Sequence, residues 1–289
     1  MRRVLITGAS GTVGSEVIKA IKALDFPIYI KAGLPEITKK QSLYAEHDLQ
    51  YVKFDFCNFA TFTPALFECD TLFLVRPPQI ANVPKYFHPL IDVAKKMGIK
   101  HIIFLSVQGV TDSPGIPHHK IEKYIVDSKI PYTFLRPAYF MQNFLTTLKS
   151  ELMLKKRIFL PAGKTRFTMI DVEDIGRVAA KVLENPDQHL NKCYDLTCDE
   201  KLNFKEIAEK FTTLLGTTIK YVSPSLLRFY ITQRWNKLPT RYILVLILLH
   251  YFPRFQKEPE TSQWVQKITL QPPGNFDSFV QRNKSQWLN

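Results

Sequence analysis

Apolar residues recur along the first half of the chain in strand-length runs, separated by longer stretches with helical spacing. Residues 3–7 (RVLIT) form the first run, and an amphipathic helical pattern follows from Ser15 to about Leu24. Further strands are predicted at 27–32 (PIYIKA), at 49–54 (LQYVKF) with alternating character, and at 71–75 (TLFLV). Two more follow at 101–105 (HIIFL) and 131–136 (PYTFLR), with a loop from Pro114 running into an amphipathic helix before the last. Uninterrupted apolar strands such as 71–75 are expected where helices cover both faces of a sheet. Strands alternating with helices predict βαβ units and hence an α/β fold, a doubly wound, mainly parallel sheet.

The first strand and first helix are joined by Gly8-Ala9-Ser10-Gly11-Thr12-Val13-Gly14. In a strand–turn–helix of this kind, Gly8 permits the tight turn and Gly11 lets backbone approach a pyrophosphate. Gly14 lets the helix pack close to the strand. The helix N-terminus then offers N–H groups and a positive dipole end to an anion. A glycine turn with a purely structural role is the competing interpretation.

Strand ends set the other expectations. A ribose would sit past the second strand, where an NAD-preferring site carries Asp or Glu. Lys31-Ala32-Gly33-Leu34-Pro35 stand there instead, with Lys39 and Lys40 further on. That favours a 2′-phosphate, hence a mild preference for NADP(H) over NAD(H), with Lys31 as a contact; surface lysines are the alternative. Asp55 and Phe56 after the third strand are placed to reach or flank an adenine, or else to cap the next helix. Val75, Arg76 and Pro77 end the fourth strand over the crevice where the nicotinamide side would pass.

Length, composition and charge narrow the class. With 289 residues, 45% hydrophobic and 22% charged, the chain has material for one large or two small domains of a globular protein. No N-terminal signal peptide is expected, because the first strand begins at Arg3. The longest apolar run, 242–252, is about half the ~20 residues of a membrane-crossing helix and is expected to be a buried or interface helix. Cys57, Cys69, Cys193 and Cys198 lack metal or disulfide spacing, so reduced thiols, no metal site and a cytoplasmic location are expected. The net charge of +13 is uneven: residues 201–289 hold 13 Lys/Arg against 5 Asp/Glu, and no acid occurs from Lys210 to Lys257. Aromatics interleave with those bases, which suits a nucleic acid, an anionic surface or an acidic partner, or is simply a solvated basic face. No nucleic-acid-binding module is evident, and nucleic acid is not the expected partner.

Taken together, ITGASGTVG at 6–14, FLVRPP at 73–78, HIIFLSVQG at 101–109 and YTFLRPAYFMQN at 132–143 resemble the NmrA-like, atypical branch of the short-chain dehydrogenases/reductases. The His118-His119-Lys120 helix start, TMIDVEDIGRVAAKVLENP at 168–186, YDLTCDEKLNFKEIAEKF at 194–211 and PPGNFDSFVQ at 272–281 follow the same pattern. The resemblance implies a Rossmann domain over 1–155, with 168–185 packing back on it, and a smaller α+β substrate or partner domain over 156–289. It implies NAD(P) bound at Gly8, Gly11, Gly14, Asp55 and the fourth and fifth strand ends, with Thr12 and Val13 against the pyrophosphate and Ser10 in the same turn. Arg76 stands where relatives often carry a small hydroxyl residue, and Pro35 where they often carry arginine.

In the wider superfamily Ser, Tyr and Lys act together, with Tyr four residues before Lys. Ser106 and Lys120 stand at the first and last places, but Ile116 stands where the tyrosine belongs. A quinone needs less help than a ketone, since its conjugation stabilises the developing charge. The family thus implies a reductase of a quinone or similar conjugated carbonyl, or a non-catalytic NAD(P)-binding redox regulator that contacts a partner protein. Ser106, Lys120, His118 and His119 are the candidate catalytic residues, and Tyr139, Phe140 and Asn143 the substrate contacts. Helix capping and packing are their structural alternatives.

Overall fold

In the computed structural model of the chain, residues 2–38 and 48–288 are described. Lys39 and Lys40 lie outside the described residues. In chain order the elements run β1 (Arg2–Ile6), α1 (Thr12–Lys22), β2 (Ile28–Leu34), β3 (Leu49–Lys53), α2 (Phe62–Leu66), β4 (Thr71–Val75), α3 (Val83–Lys96), β5 (His101–Leu105), α4 (Pro117–Ser128) and β6 (Tyr132–Pro137). They continue as β7 (Tyr139–Phe140), α5 (Lys149–Lys155), β8 (Arg157–Phe159), β9 (Phe167–Ile170), α6 (Val172–Glu184) and β10 (Lys192–Leu196). The rest are β11 (Lys201–Leu202), α7 (Phe204–Leu215), β12 (Lys220–Val222), α8 (Leu226–Trp235), α9 (Thr240–His250), α10 (Trp264–Thr269), α11 (Phe276–Arg282) and α12 (Ser285–Leu288).

Two compact units result: Met1–Ala138 with Val172–Leu196 and Gln263–Pro272, and Tyr139–Asp171 with Thr197–Ser262 and Pro273–Asn289. In the first unit seven strands pair in the order β10-β6-β5-β4-β1-β2-β3, every neighbouring pair parallel. This is the doubly wound Rossmann order, which reverses between β1 and β4 and opens a crevice above their carboxyl ends. Leu5, Leu72, Leu74, Ile102 and Phe104 share a buried cluster with residues of α2, α3 and α4 on one face. On α1, Val13, Val17 and Ile21 recur at four-residue spacing and are buried. α6 packs on α1 so closely that a Cβ on Gly176 would lie 2.8 Å from the Glu16 carbonyl oxygen.

The first unit therefore closes its leading segment at Ala138 rather than near residue 155, and recovers chain later. The reason is pairing: β10 joins β6 as the seventh strand, and α6 with α10 accompanies it. The second unit has short sheets, β11-β9-β7 and β12-β8, around an aromatic-rich core that includes Phe144, Phe167, Phe204, Phe211 and Phe276. Asn203 and Glu206 form a reciprocal capping box at the start of α7. Among the described residues no helix is long and apolar enough to cross a membrane, and no cluster of His, Cys, Asp or Glu is placed to hold a metal.

Candidate functional site

Thr7 ties the two strand ends at the switch point. Its N–H donates to the Phe73 carbonyl (3.0 Å), its hydroxyl donates to the Val75 carbonyl (3.1 Å), and the same oxygen accepts the Val75 N–H (2.8 Å). The chain then turns at Gly8 with φ +62°, and the Gly8 carbonyl accepts the Gly11 N–H at 2.9 Å. A Cβ on Gly14 would lie 2.3 Å from the Gly8 oxygen and 2.8 Å from Ala9 Cα, so no larger residue fits that first turn of α1. The helix has no side-chain cap at Gly11 and no acid in its first turn. Thr12, Val13 and Gly14 sit at the positions whose N–H groups have no acceptor inside a helix. Ser10, Gly11 and Thr12 are exposed beside them. An uncapped helix start behind a glycine turn, free of negative charge, fits the pyrophosphate of a dinucleotide.

The ribose side departs from expectation. β2 extends to Leu34, two residues beyond the predicted end, and Lys31 lies at its middle. It is buried, and its Nζ donates to the Phe67 carbonyl at 2.5 Å while lying 5.8 Å from the Phe67 ring centre. Lys31 is therefore a structural residue and not a 2′-phosphate contact. The residues just past the strand are Pro35 and Glu36, both exposed. Phe56 is also corrected: its ring is buried, 5.0 Å from that of Phe54 and 5.1 Å from that of Phe87, and belongs to the core. Asp55 is half-buried, and its Oδ1 accepts the Cys57 N–H at 2.8 Å, a local turn that stops short of capping a helix.

β4 and β5 pair Val75 with Leu105, so Arg76 and Ser106 leave the sheet as neighbours. Arg76 serves the loop that follows it: Nη1 donates to the carbonyls of Pro77 (3.0 Å), Pro78 (3.1 Å) and Ile80 (2.9 Å). Its Nε donates to His118 Nε2 at 3.3 Å, which makes that nitrogen an acceptor and leaves the His118 proton on Nδ1. Burial, with the adjacent Arg76 charge, pulls the His118 pKa down to about 3, so the ring is neutral at physiological pH. His119 Nδ1 lies 3.1 Å from the Val110 carbonyl and must donate to it. Lys120 is exposed on α4. Ser106 differs from all of these. It is 2% exposed, its N–H donates to the Leu135 carbonyl at 2.8 Å, and its Oγ has no hydrogen-bond partner among the described residues. A buried hydroxyl of that kind has hydrogen-bonding capacity to offer a bound group or a water.

Tyr139, Phe140 and Asn143 belong to the second unit, whereas the strand-end residues belong to the first. Tyr139 is partly buried, and burial pushes its phenol up, with a hydrogen bond from Asn143 acting in the opposite sense. His250 was not separable by sequence from the apolar run that contains it. Its Nδ1 donates to the Leu246 carbonyl (2.7 Å), so Nε2 accepts from the Tyr139 hydroxyl at 3.2 Å. Burial holds His250 down at about 4, which keeps it neutral. The Arg76–His118 contact spans 42 positions and carries no local signal.

Known proteins of similar sequence include several oxidoreductases. An uncharacterized oxidoreductase of Bacillus subtilis is 26% identical over 288 residues, covering 98% of this chain and 96% of its own. The NAD(P)H azoreductase of Xenophilus azovorans is 28% identical over 229 residues, 77% of each chain. Among solved structures, the NADPH-dependent quinone oxidoreductase of Escherichia coli in complex with NADPH superposes with a TM-score of 0.84. It is 23% identical, with 96% of this chain and 99% of that one covered, a likeness of fold. The sequence model of the NmrA-like family matches residues 1–252, most of the chain and all of its dinucleotide-type turn. The chain belongs to the NmrA-like family.

Proposed function

We propose that this protein is an NAD(P)H-dependent oxidoreductase that reduces a quinone or a similar flat, conjugated carbonyl. Ser106 carries the proposal: a buried hydroxyl with no hydrogen-bond partner among the described residues, on the strand end beside the crevice that the glycine turn and the α1 N-terminus open. A nicotinamide dinucleotide supplies hydride when bound. The chain's own part is to hold the pyrophosphate on the N–H groups of Thr12, Val13 and Gly14, and to offer Ser106 Oγ as a hydrogen-bond partner at the reacting end. Neutral His118 keeps a donor on Nδ1, anchored through Nε2 by Arg76. Ile116 stands where a superfamily tyrosine would donate a proton, so an acceptor that stabilises its own negative charge suits the site better than a simple ketone.

The Escherichia coli quinone oxidoreductase and the Xenophilus azoreductase support the reaction class. For the 2′ position, Lys31 is engaged elsewhere, and Glu36 follows β2 where an acid would favour the free ribose hydroxyl. The NADPH-bound neighbour points the other way. Oxidation of NADH and NADPH in parallel, against a panel of quinones and azo compounds, tests the proposal. Turnover with at least one conjugated acceptor is expected, and tight dinucleotide binding without turnover on any would overturn it. That second outcome selects a dinucleotide-sensing regulator, with which the incomplete Ser-Tyr-Lys set is also compatible.

A further inference from the structure

α8 and α9, in the second unit, carry apolar side chains on the faces turned to solvent. On α8, Phe229 and Gln233 are buried, while Leu227, Ile231 and Trp235 recur at four-residue spacing on the outside. Leu227 is 70% exposed and Trp235 84%. On α9, Ile243, Leu246 and His250 face the core, and Leu244, Val245, Leu248 and Leu249 are all exposed on the other side. Phe252 and Phe255 continue the exposed apolar surface beyond the helix. The two helices pack on one another. A helix apolar on both faces has one face to account for beyond the core, and apolar surface clustered this way marks an interaction site.

Charge identifies the occupant. Arg228, Arg234, Lys237, Arg241 and Arg254 are exposed among these apolar residues, and no acid occurs between Lys210 and Lys257. Glu151, which accepts from Asn236 Nδ2 at 3.5 Å just past α8, is buried and pairs with Lys155 and Arg157, and Glu260 pairs with Lys201 and Lys257. A second copy of the chain laid on this face would oppose arginine and lysine to arginine and lysine. A nucleic acid could stack on Trp235, Phe252 and Phe255 but would leave the larger aliphatic part of the face, Leu227, Ile231, Leu244, Val245, Leu248 and Leu249, without a partner. Leu, Val, Ile and Phe flanked by Arg and Lys, with an exposed Trp, is the composition of a segment that lies in a membrane interface. There the apolar side chains enter the acyl boundary and the cations meet anionic headgroups.

We infer that the α8–α9 face is a peripheral membrane-docking surface for anionic bilayers. It places no helix across the membrane and is independent of the proposed redox chemistry. Sedimentation of the full chain with vesicles of phosphatidylcholine alone, and of phosphatidylcholine mixed with phosphatidylglycerol, tests it. The protein is expected to sediment with the mixed vesicles, to bind neutral ones more weakly, and to be released by salt. Each of Arg234→Gln and Arg241→Gln should weaken binding to the mixed vesicles about fivefold, and the Leu244→Ser, Leu248→Ser double variant should abolish it. On the unaltered protein, vesicles should shift tryptophan emission to the blue, and Trp235→Phe should remove the shift, which keeps the test independent of how the serine variant folds. No sedimentation at low salt, or equal binding to both vesicle types, overturns the inference. So does a dimer broken by the leucine substitutions, or retention on DNA, in a protein indifferent to vesicles.

Discussion

Replacing Ser106 by alanine removes a hydroxyl that bonds to no described protein atom, so the folded state loses no internal contact. Thermal stability of Ser106→Ala should stay within about 0.5 kcal/mol of the parent, while kcat/KM should fall about tenfold, the worth of one buried hydrogen bond. A drop in stability with unchanged kinetics would make the hydroxyl structural. Gly14→Ala is the converse. Its Cβ would meet the Gly8 oxygen at 2.3 Å, backbone against backbone. It should cost about 1–3 kcal/mol in a denaturant melt and abolish dinucleotide binding in a titration. His118, held at about 3 by burial beside Arg76, does not change charge between pH 5 and 8. The profile of kcat/KM should therefore show no inflection near pH 6.5 from this residue, and one that disappears in His118→Asn would contradict the assignment.

At the scale of elements, β6 is fixed to α4 by a paired-fork contact. Arg136 Nε donates to Glu122 Oε1 at 3.0 Å and Nη2 to Oε2 at 2.6 Å, with Glu122 buried. Removing the carboxylate leaves a poorly solvated guanidinium, so Glu122→Ala should destabilise the fold by about 3 kcal/mol in urea unfolding. Core strands were legible because continuous apolar runs leave little freedom: 71–75 and 101–105 fall where β4 and β5 do. β2 runs two residues past its expected end, and Lys31, expected at a 2′-phosphate, is buried where the Phe67 carbonyl, 36 positions away, makes a lysine tolerable. Phe56 illustrates the same limit, since the Phe87 ring that it packs against lies on α3, far along the chain. The conformation of the glycine turn was legible, because the Gly8 turn and the close packing of Gly14 act within seven residues. The Arg76–His118 and Tyr139–His250 contacts were not, because they join distant segments.

For the whole molecule, the division into units depends on β10 returning to β6, a pairing that no local pattern announces. Its acid behaviour follows from buried histidines. Burial is the main cause that holds His101 at about 4, His118 at about 3 and His250 at about 4. In the unfolded chain each titrates near about 6.5, so the unfolded state binds more protons between those values. Their contribution to stability is whole above about pH 6.5 and is lost as pH falls towards 4 and below. The melting temperature should be level on the alkaline side of neutrality and decline increasingly below pH 6.5, and a flat profile down to pH 4 would contradict the buried, neutral state. Reduction at the proposed dinucleotide site is tested by steady-state oxidation of NADH and NADPH with a conjugated quinone, in the parent and in Ser106→Ala. Quinone-dependent oxidation that falls about tenfold in the variant at unchanged melting temperature is the predicted result; no quinone-dependent oxidation of either dinucleotide by the folded parent would contradict it.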